Sequence, residues 1–535
     1  MNQETLQIVQ KNITNYVEKW KSSEKLDAVW AAKLGLSSVA AYFLYKTIIY
    51  RLYIHPANRL PGPRVSWIPF MGNFFEIIRT EDDQSPLRKW AKTYGSIYTI
   101  HTQLNKPEIV VTDEKLVKQI LTTQVYDFEK PDIVSRELER LTGRGVLVVE
   151  GQAHRIQRKM LNPAFSVQSI RAMVPLMLGP GYTLRDQWLH KISESNTEYT
   201  EIEVSKSLSL ATLDVIGITA FGQDFKSLSY YGTEKMNRLS KAYLSIFSNE
   251  MATMQILSIV FPILRYLPTK RNREEAKMLR WIKEESAALV EAGIQRDQEE
   301  KRSGKINQSK DLLALMVNLI DEDTGKGFTK EELRDQCLTF LAAGHETTSN
   351  TLCWCLWLLA QNQDIQDKLR AEILPLFKDG KISNYDAVNA IPYLDYVCRE
   401  TLRLIPTVPD TNRINRVPVV LGSYVIPKDT TFHIPPVVSQ RSKEIWGEDA
   451  DEFNPSRWEK SENIGNAYQY FPFLAGGHQC IGHKFATVEM KVLLSILIKD
   501  IQFFEKPGFK VQKKQIITMR PIPNMTLWIK PVSSS

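Results

Sequence analysis

Phe473-Leu474-Ala475-Gly476-Gly477-His478-Gln479-Cys480-Ile481-Gly482 places a single cysteine between glycines in a chain of 535 residues. It runs straight into Phe485, Ala486, Val488, Met490, Val492, Leu493, Ile496 and Leu497. Apolar positions at three- and four-residue steps predict a buried helix beginning near Gly482. Cys480 then sits just ahead of a helix N-terminus. Unpaired N–H groups and the positive end of the helix dipole favour a thiolate there and lower the thiol pKa. Gly476, Gly477 and Gly482 carry no Cβ, which leaves room for a flat ligand against the backbone. A thiolate on such a loop suits an iron or another soft metal centre. Two plainer readings compete. Cys480 is a small buried hydrophobe beside a turn, or it joins His478 and His483 around zinc. Zinc commonly takes four ligands with Cys-x-x-Cys pairs, and no such pair occurs in the chain.

A long helix is predicted from about Lys330 to Ala360, opened by a capping box of Thr329 and Glu332. Its middle reads Ala343-Gly344-His345-Glu346-Thr347-Thr348. A mid-helix glycine costs roughly 1 kcal/mol relative to alanine, so it reflects close packing or function. A carboxylate beside a hydroxyl at a bent point of a helix makes a short proton relay, with Thr347 bonding a backbone carbonyl or a ligand oxygen. Glu400 and Arg403, three apart on a helix, share a face and pair.

These stretches, together with Phe453-Asn454-Pro455-Ser456-Arg457-Trp458, stand in the order found in the cytochrome P-450 family, which the chain resembles from about Pro61 to its end. The family's haem loop reads Phe-x-x-Gly-x-Arg-x-Cys-x-Gly. The resemblance implies a mainly α fold with small β-sheets. It divides the chain into an N-terminal amphipathic and anchor segment, 1–54, and a haem domain, 55–535. It implies haem b whose iron takes Cys480 as axial thiolate, on a loop where Phe473, Gly476 and Gly482 also meet the cofactor. Ala343 and Gly344 would cross the opposite haem face, with Glu346 and Thr347 delivering protons for O–O cleavage. Arg413 matches the family's propionate-binding arginine. Residues 151–166 align with the helix supplying a Trp-x-x-x-Arg contact to the propionates: Arg158 matches, and His154 stands in place of the tryptophan. His478 likewise replaces the arginine of the haem loop, and an imidazole N–H still donates to a carboxylate. Glu400, Arg403 and Arg457 take a structural role, holding the cysteine loop.

With 43% hydrophobic residues the chain can bury a large core. A net charge of +7 and no basic low-complexity tract give nucleic-acid binding little support. The five cysteines have no framework spacing, which fits a reducing compartment without disulfides. Residues 1–28 suggest an amphipathic helix at a membrane surface, equally readable as a plain surface helix. From 29 to 54 the chain is mostly apolar, but Lys33, Lys46 and Arg51 interrupt a run shorter than the ~20 residues a span needs. Strands are expected over 97–100 with 109–112, over 417–433 and over 499–530, and helix throughout 205–300. An apolar patch over 251–267 reads as core or as a surface dipping into a bilayer. A basic surface of Arg155, Lys159, Lys443, Lys484 and Lys491 suits an acidic reductase, or is a solvated face.

The resemblance thus implies a single-pass anchor in the endoplasmic reticulum membrane with a cytosolic catalytic domain. It implies a haem-thiolate monooxygenase inserting oxygen from O2 into a lipophilic steroid, fatty acid, terpenoid or other secondary metabolite. No flavin or nicotinamide fingerprint is present, so electrons would come from NADPH-cytochrome P-450 reductase, with cytochrome b5 as a second donor. Two alternatives stay open: a haem-thiolate isomerase or peroxide-dependent enzyme needing no reductase, and a non-catalytic haem carrier or sensor.

Overall fold

The computed structural model describes residues 3–532 apart from 67, 79, 81, 83–84, 249–257, 259–261, 305–310, 379 and 464. The chain divides into two compact units, Met1–Phe75 with Thr99–Glu108, and Glu76–Tyr98 with Ile109–Ser535.

In the first unit, helix Gln3–Leu44 runs directly into a π-helical segment, Tyr45–Ile54. Val29, Trp30, Leu34, Leu36, Val39, Tyr42 and Phe43 are all exposed along it. Among the described residues only Val204–Phe221 is long and apolar enough to cross a membrane, and it is mostly buried. The expected strands follow at Ile97–His101 and Pro107–Val111, with Thr102 N–H bonding Lys106 O at 2.9 Å inside their turn.

The second unit is built around helix Lys330–Gln361. Its capping box forms as the residues predict: Thr329 Oγ1 accepts from Glu332 N–H at 3.2 Å, and Glu332 Oε2 accepts from Thr329 N–H at 2.8 Å. Val204–Phe221, Lys270–Arg302, Pro392–Leu404 and His483–Asp500 pack around it. Cys353 and Cys355 point to different faces, yet both are fully buried because neighbours cover the helix on every side. All five cysteines are free thiols.

Helix does not extend throughout 205–300. Val204–Phe221 stops at Gly222, whose φ of +62° turns the chain while its N–H bonds Ile218 O at 3.0 Å, and 222–237 is a run of turns. Most of the apolar patch at 251–267 lies outside the described residues. Thr411–Asn415 pairs antiparallel with both Thr431–Ile434 and Phe128–Glu129. Near the C-terminus, Gln512–Gln515 pairs with Met519–Ile522, and Ile501–Glu505 with Thr526–Pro531.

Candidate active site

The cysteine loop ends where the periodicity places it: Gly482 caps helix His483–Asp500. Cys480 N–H bonds Phe473 O at 2.8 Å, which closes the loop on itself. The glycines divide in role. Gly476 has φ +70°, and a Cβ there would lie 2.0 Å from Leu121 O, so both conformation and contact demand glycine. A Cβ on Gly477 would press on Val125 at 3.2 Å, whereas one on Gly482 would meet only Phe165 at 3.9 Å. Two of the three therefore serve the loop's seat on segment 121–125, and Gly482 alone leaves open space.

The Cys480 side chain is exposed to solvent-sized space, yet protein surrounds it. Burial raises its thiol pKa and outweighs the lowering by the Gly482 N–H and Arg158. The expected lowering by the helix start is thus reversed, because desolvation is the larger influence. Zinc finds no site: among the described residues, no three His, Cys, Asp or Glu side chains gather around a point.

Helix Gly151–Leu161 brings His154 and Arg158 to the same place. Arg158 Nη1 donates to Gln479 O, next to the cysteine. The His154 and His478 rings lie 3.9 Å apart, with Tyr126 OH 3.4 Å from His154 Nδ1. Burial and then the nearby Lys130 push His154 down to about 4 and His478 further still, so both rings are neutral. His478 Nε2 stands 3.3 Å from Glu150 without hydrogen-bond geometry and is left buried with no partner. Lys130 Nζ takes the other Glu150 oxygen at 2.7 Å. Arg413, on strand Thr411–Asn415, is buried and donates from Nη1 to Thr411 Oγ1 and Asn412 O, with no carboxylate in salt-bridge range among the described residues. A cysteine at a helix start, a buried arginine with no salt-bridge partner among the described residues and an orphaned imidazole nitrogen fit a planar iron cofactor that carries carboxylates.

The central helix runs without interruption through 343–348. Gly344 answers to packing: a Cβ there would meet Ile216 at 3.0 Å. Thr347 Oγ1 donates to Ala343 O at 2.7 Å. Glu346 does not reach toward it. Its Oε1 accepts from Asn350 at 2.7 Å and Thr518 at 2.9 Å, and Arg520 Nε lies 2.7 Å away. The sequence read 499–530 only as strands, and nothing local marks Thr518 or Arg520. Only the tertiary fold brings them to Glu346.

Glu400 is fully buried and accepts from Arg403 at 2.8 Å, Arg457 Nε at 2.9 Å, Asn454 N–H at 3.0 Å and Trp458 Nε1 at 3.0 Å. Arg403 Nη1 also donates to Gln440 O at 2.9 Å, and Gln440 Oε1 accepts from Phe471 N–H, two residues before the loop. The three-residue network thus reaches the cysteine loop through Gln440. Of the expected basic surface, Lys491 is buried against Asp395 at 2.8 Å, while Arg155, Lys159, Lys443 and Lys484 are exposed; Lys443 pairs with Glu448, Lys159 with Asp323, and Arg155 stacks on Tyr126.

The sequence profile described as Cytochrome P450 matches residues 61–528. Cytochrome P450 monooxygenase 128 of Postia placenta is 34% identical, over 92% of this chain and 95% of its own. Cytochrome P450 monooxygenase sphH of Aspergillus fumigatus is 30% identical over 91% of each chain, and claO of Ampulloclitocybe clavipes 29% identical over 92% and 96%.

Proposed function

Because the chain belongs to the cytochrome P450 family, whose monooxygenases carry haem iron on a cysteine thiolate, we propose that Cys480 is that ligand and that this enzyme hydroxylates a lipophilic small molecule. One observation supports the assignment: Cys480 is the exposed cysteine of the five, at the start of helix His483–Asp500, with the Arg158 guanidinium on the neighbouring Gln479 O. Bound haem supplies reductive activation of O2 and oxygen insertion into a C–H bond.

The chain's own residues have separable tasks. Arg158 and Arg413 hold the cofactor's carboxylates, and neutral His154 and His478 add hydrogen bonds there without adding charge. Glu400, Arg403 and Arg457 fix the loop so that the sulfur keeps one position. Thr347 presents a hydroxyl already directed by Ala343 O, and Glu346 is the nearest acid in sequence to recharge it with a proton. The buried side chains of Val146, Val148, Phe340 and Ala342 in the flanking segments suit an apolar guest. Electrons come from NADPH through a separate reductase, with cytochrome b5 as an auxiliary donor. The exposed apolar side chains of helix Gln3–Leu44 support attachment to the endoplasmic reticulum membrane.

Incubation with NADPH, a P-450 reductase, 18O2 and a panel of steroids, fatty acids and terpenoids tests the reading. One 18O atom per product molecule, dependent on the reductase, is the expected result. Conversion that needs only peroxide, or rearrangement without label, replaces it with the reductase-independent alternative.

A further inference from the structure

The chain holds three Asn-x-Ser/Thr sequences in which x is not proline, beginning at Asn12, Asn307 and Asn524. Such a sequence accepts an N-linked glycan where the transferring enzyme can reach it. What separates the three is the side of a membrane each one occupies. Apolarity alone does not qualify 29–50 as a span, but its two lysines, Lys33 and Lys46, stand four residues in from either end. As helix at 1.5 Å per residue, 29–50 is about 33 Å long, against ~30 Å of hydrocarbon. Lys33 Nζ lies 5.4 Å from the centre of the Trp30 ring, toward the N-terminal end. Lys46 Nζ lies nearer to Tyr50, at 4.8 Å, than to Tyr42, at 5.9 Å. Both ammonium groups thus lean outward to the water on their own side, beside aromatic rings suited to the interface. That arrangement permits one crossing.

The cysteines give the crossing its direction. Cys337, Cys353, Cys355, Cys398 and Cys480 all follow it and all are free thiols, which a reducing compartment maintains. One crossing then leaves the residues before 29 in the oxidising lumen and keeps Asn307 and Asn524 out of it. We propose that Asn12 is an N-glycosylation site, modified on the luminal face of the endoplasmic reticulum membrane, and that its glycan holds the crossing in one orientation. This rests on the reading of the N-terminal helix as the membrane anchor. In the transfer, a bond forms between Asn12 Nδ2 and the anomeric carbon of an oligosaccharide carried on a polyprenyl diphosphate. The bond from that carbon to the diphosphate oxygen breaks, the lipid diphosphate leaves, and the amide gives up one proton. A large polar glycan then opposes return of the N-terminus through hydrocarbon.

The acceptor is accessible. Asn12, Ile13 and Thr14 are exposed, as are Tyr16, Val17 and Trp20 beyond them. Asn12 precedes Val29 by seventeen residues, about 25 Å along a helix, which clears the headgroups. Thr14 Oγ1 donates to Gln10 O at 2.9 Å, a bond within the helix itself. A helical stretch with no packed face is marginal in water and opens readily to the extended form in which an acceptor is presented. Asn524 differs in its surroundings as well as its side: its Nδ2 donates to Glu203 Oε1 at 2.7 Å, Met525 is fully buried, and Thr526 begins a paired strand.

Gel mobility of the full-length chain, expressed with endoplasmic reticulum membranes and compared before and after an endoglycosidase, tests this without turnover. Wild type is expected to run one glycan heavier until treated. Asn12→Gln and Thr14→Ala should run at the treated position, Thr14→Ser should keep the glycan, and Asn524→Gln should run as wild type. Asn12→Gln should leave the reduced-CO spectrum unchanged. Wild-type mobility that the endoglycosidase does not alter overturns the proposal, and so does a shift that survives in Asn12→Gln. Protease added to sealed vesicles keeps the two readings apart. An N-terminal epitope that is protected but carries no glycan discards Asn12 as the acceptor and retains the anchor. An epitope that is digested, again without a glycan, discards the luminal N-terminus with it. Absence of labelled product across the substrate panel, with the glycan on Asn12 as expected, counts against the monooxygenase reading alone.

Discussion

Arg413 carries a buried positive charge with no carboxylate in salt-bridge range among the described residues. Such an arrangement is costly unless an anion completes it. Its removal should therefore cost cofactor rather than fold. Losing charge-assisted hydrogen bonds worth roughly 1.5–3 kcal/mol predicts that Arg413→Leu binds haem about 10- to 100-fold more weakly. Haem transfer to an apoglobin acceptor measures this; transfer at the wild-type rate would remove Arg413 from the cofactor's partners. The same residue was legible in the sequence only through the resemblance to the family, whose propionate-binding arginine it matches. Cys480 was legible by its glycines and by the helix behind it. Its pKa was not, because a helix start can be read from spacing while the amount of protein packed around a sulfur cannot. Gly476 was recognisable as special, but its contact with Leu121 O, 355 positions away, was not.

At the scale of elements, the central helix was the most readable part, since its capping box and apolar period are local. What its middle does was not, because Glu346 is held by Thr518 and Arg520 from a hairpin far along the chain. Thr347 is the better-defined member of the pair. Thr347→Val should keep haem and continue to oxidise NADPH while product per NADPH falls roughly 100-fold. Unchanged product yield would place proton delivery elsewhere. The Glu400 network binds Pro392–Leu404 to segment 440–458, and Asp449 extends it through Arg457 at 2.8 Å. Burial alone would raise the Asp449 carboxyl, but hydrogen bonds from Arg457 and Asn454 outweigh it and hold it below the ordinary 3.8. A carboxyl depressed by folding stabilises above its unfolded value and loses that contribution as pH falls through the folded one. The stability difference between wild type and Asp449→Asn, from urea unfolding, should therefore be full at pH 6 and shrink below 3.8. A difference constant with pH would show that Asp449 contributes through shape and not charge.

For the whole molecule, the family's fold follows from motifs that lie in order along most of the chain, and the match over residues 61–528 agrees. The N-terminal region is a different matter. Its helix is exposed and apolar in places, yet Lys33, Lys46 and Arg51 leave no uninterrupted run of spanning length. Apolar exposure with interspersed lysines and tyrosines favours attachment at a bilayer. Deleting residues 1–54 should move the protein from vesicle-bound to soluble while its reduced-CO spectrum is unchanged. A full-length chain that stays in the supernatant with vesicles would refute membrane attachment. Lysines counted along the sequence look alike, whereas in the folded chain Lys491 is buried against Asp395 and Lys159 and Lys443 stay exposed beside acidic partners.

The most direct test is the reduced-CO difference spectrum of wild type against Cys480→Ala, with haem content determined by extraction. Thiolate ligation by Cys480 predicts the long-wavelength Soret band in wild type and its loss in the variant. A variant that retains both haem and that band would place the sulfur–iron bond on another residue and contradict the account.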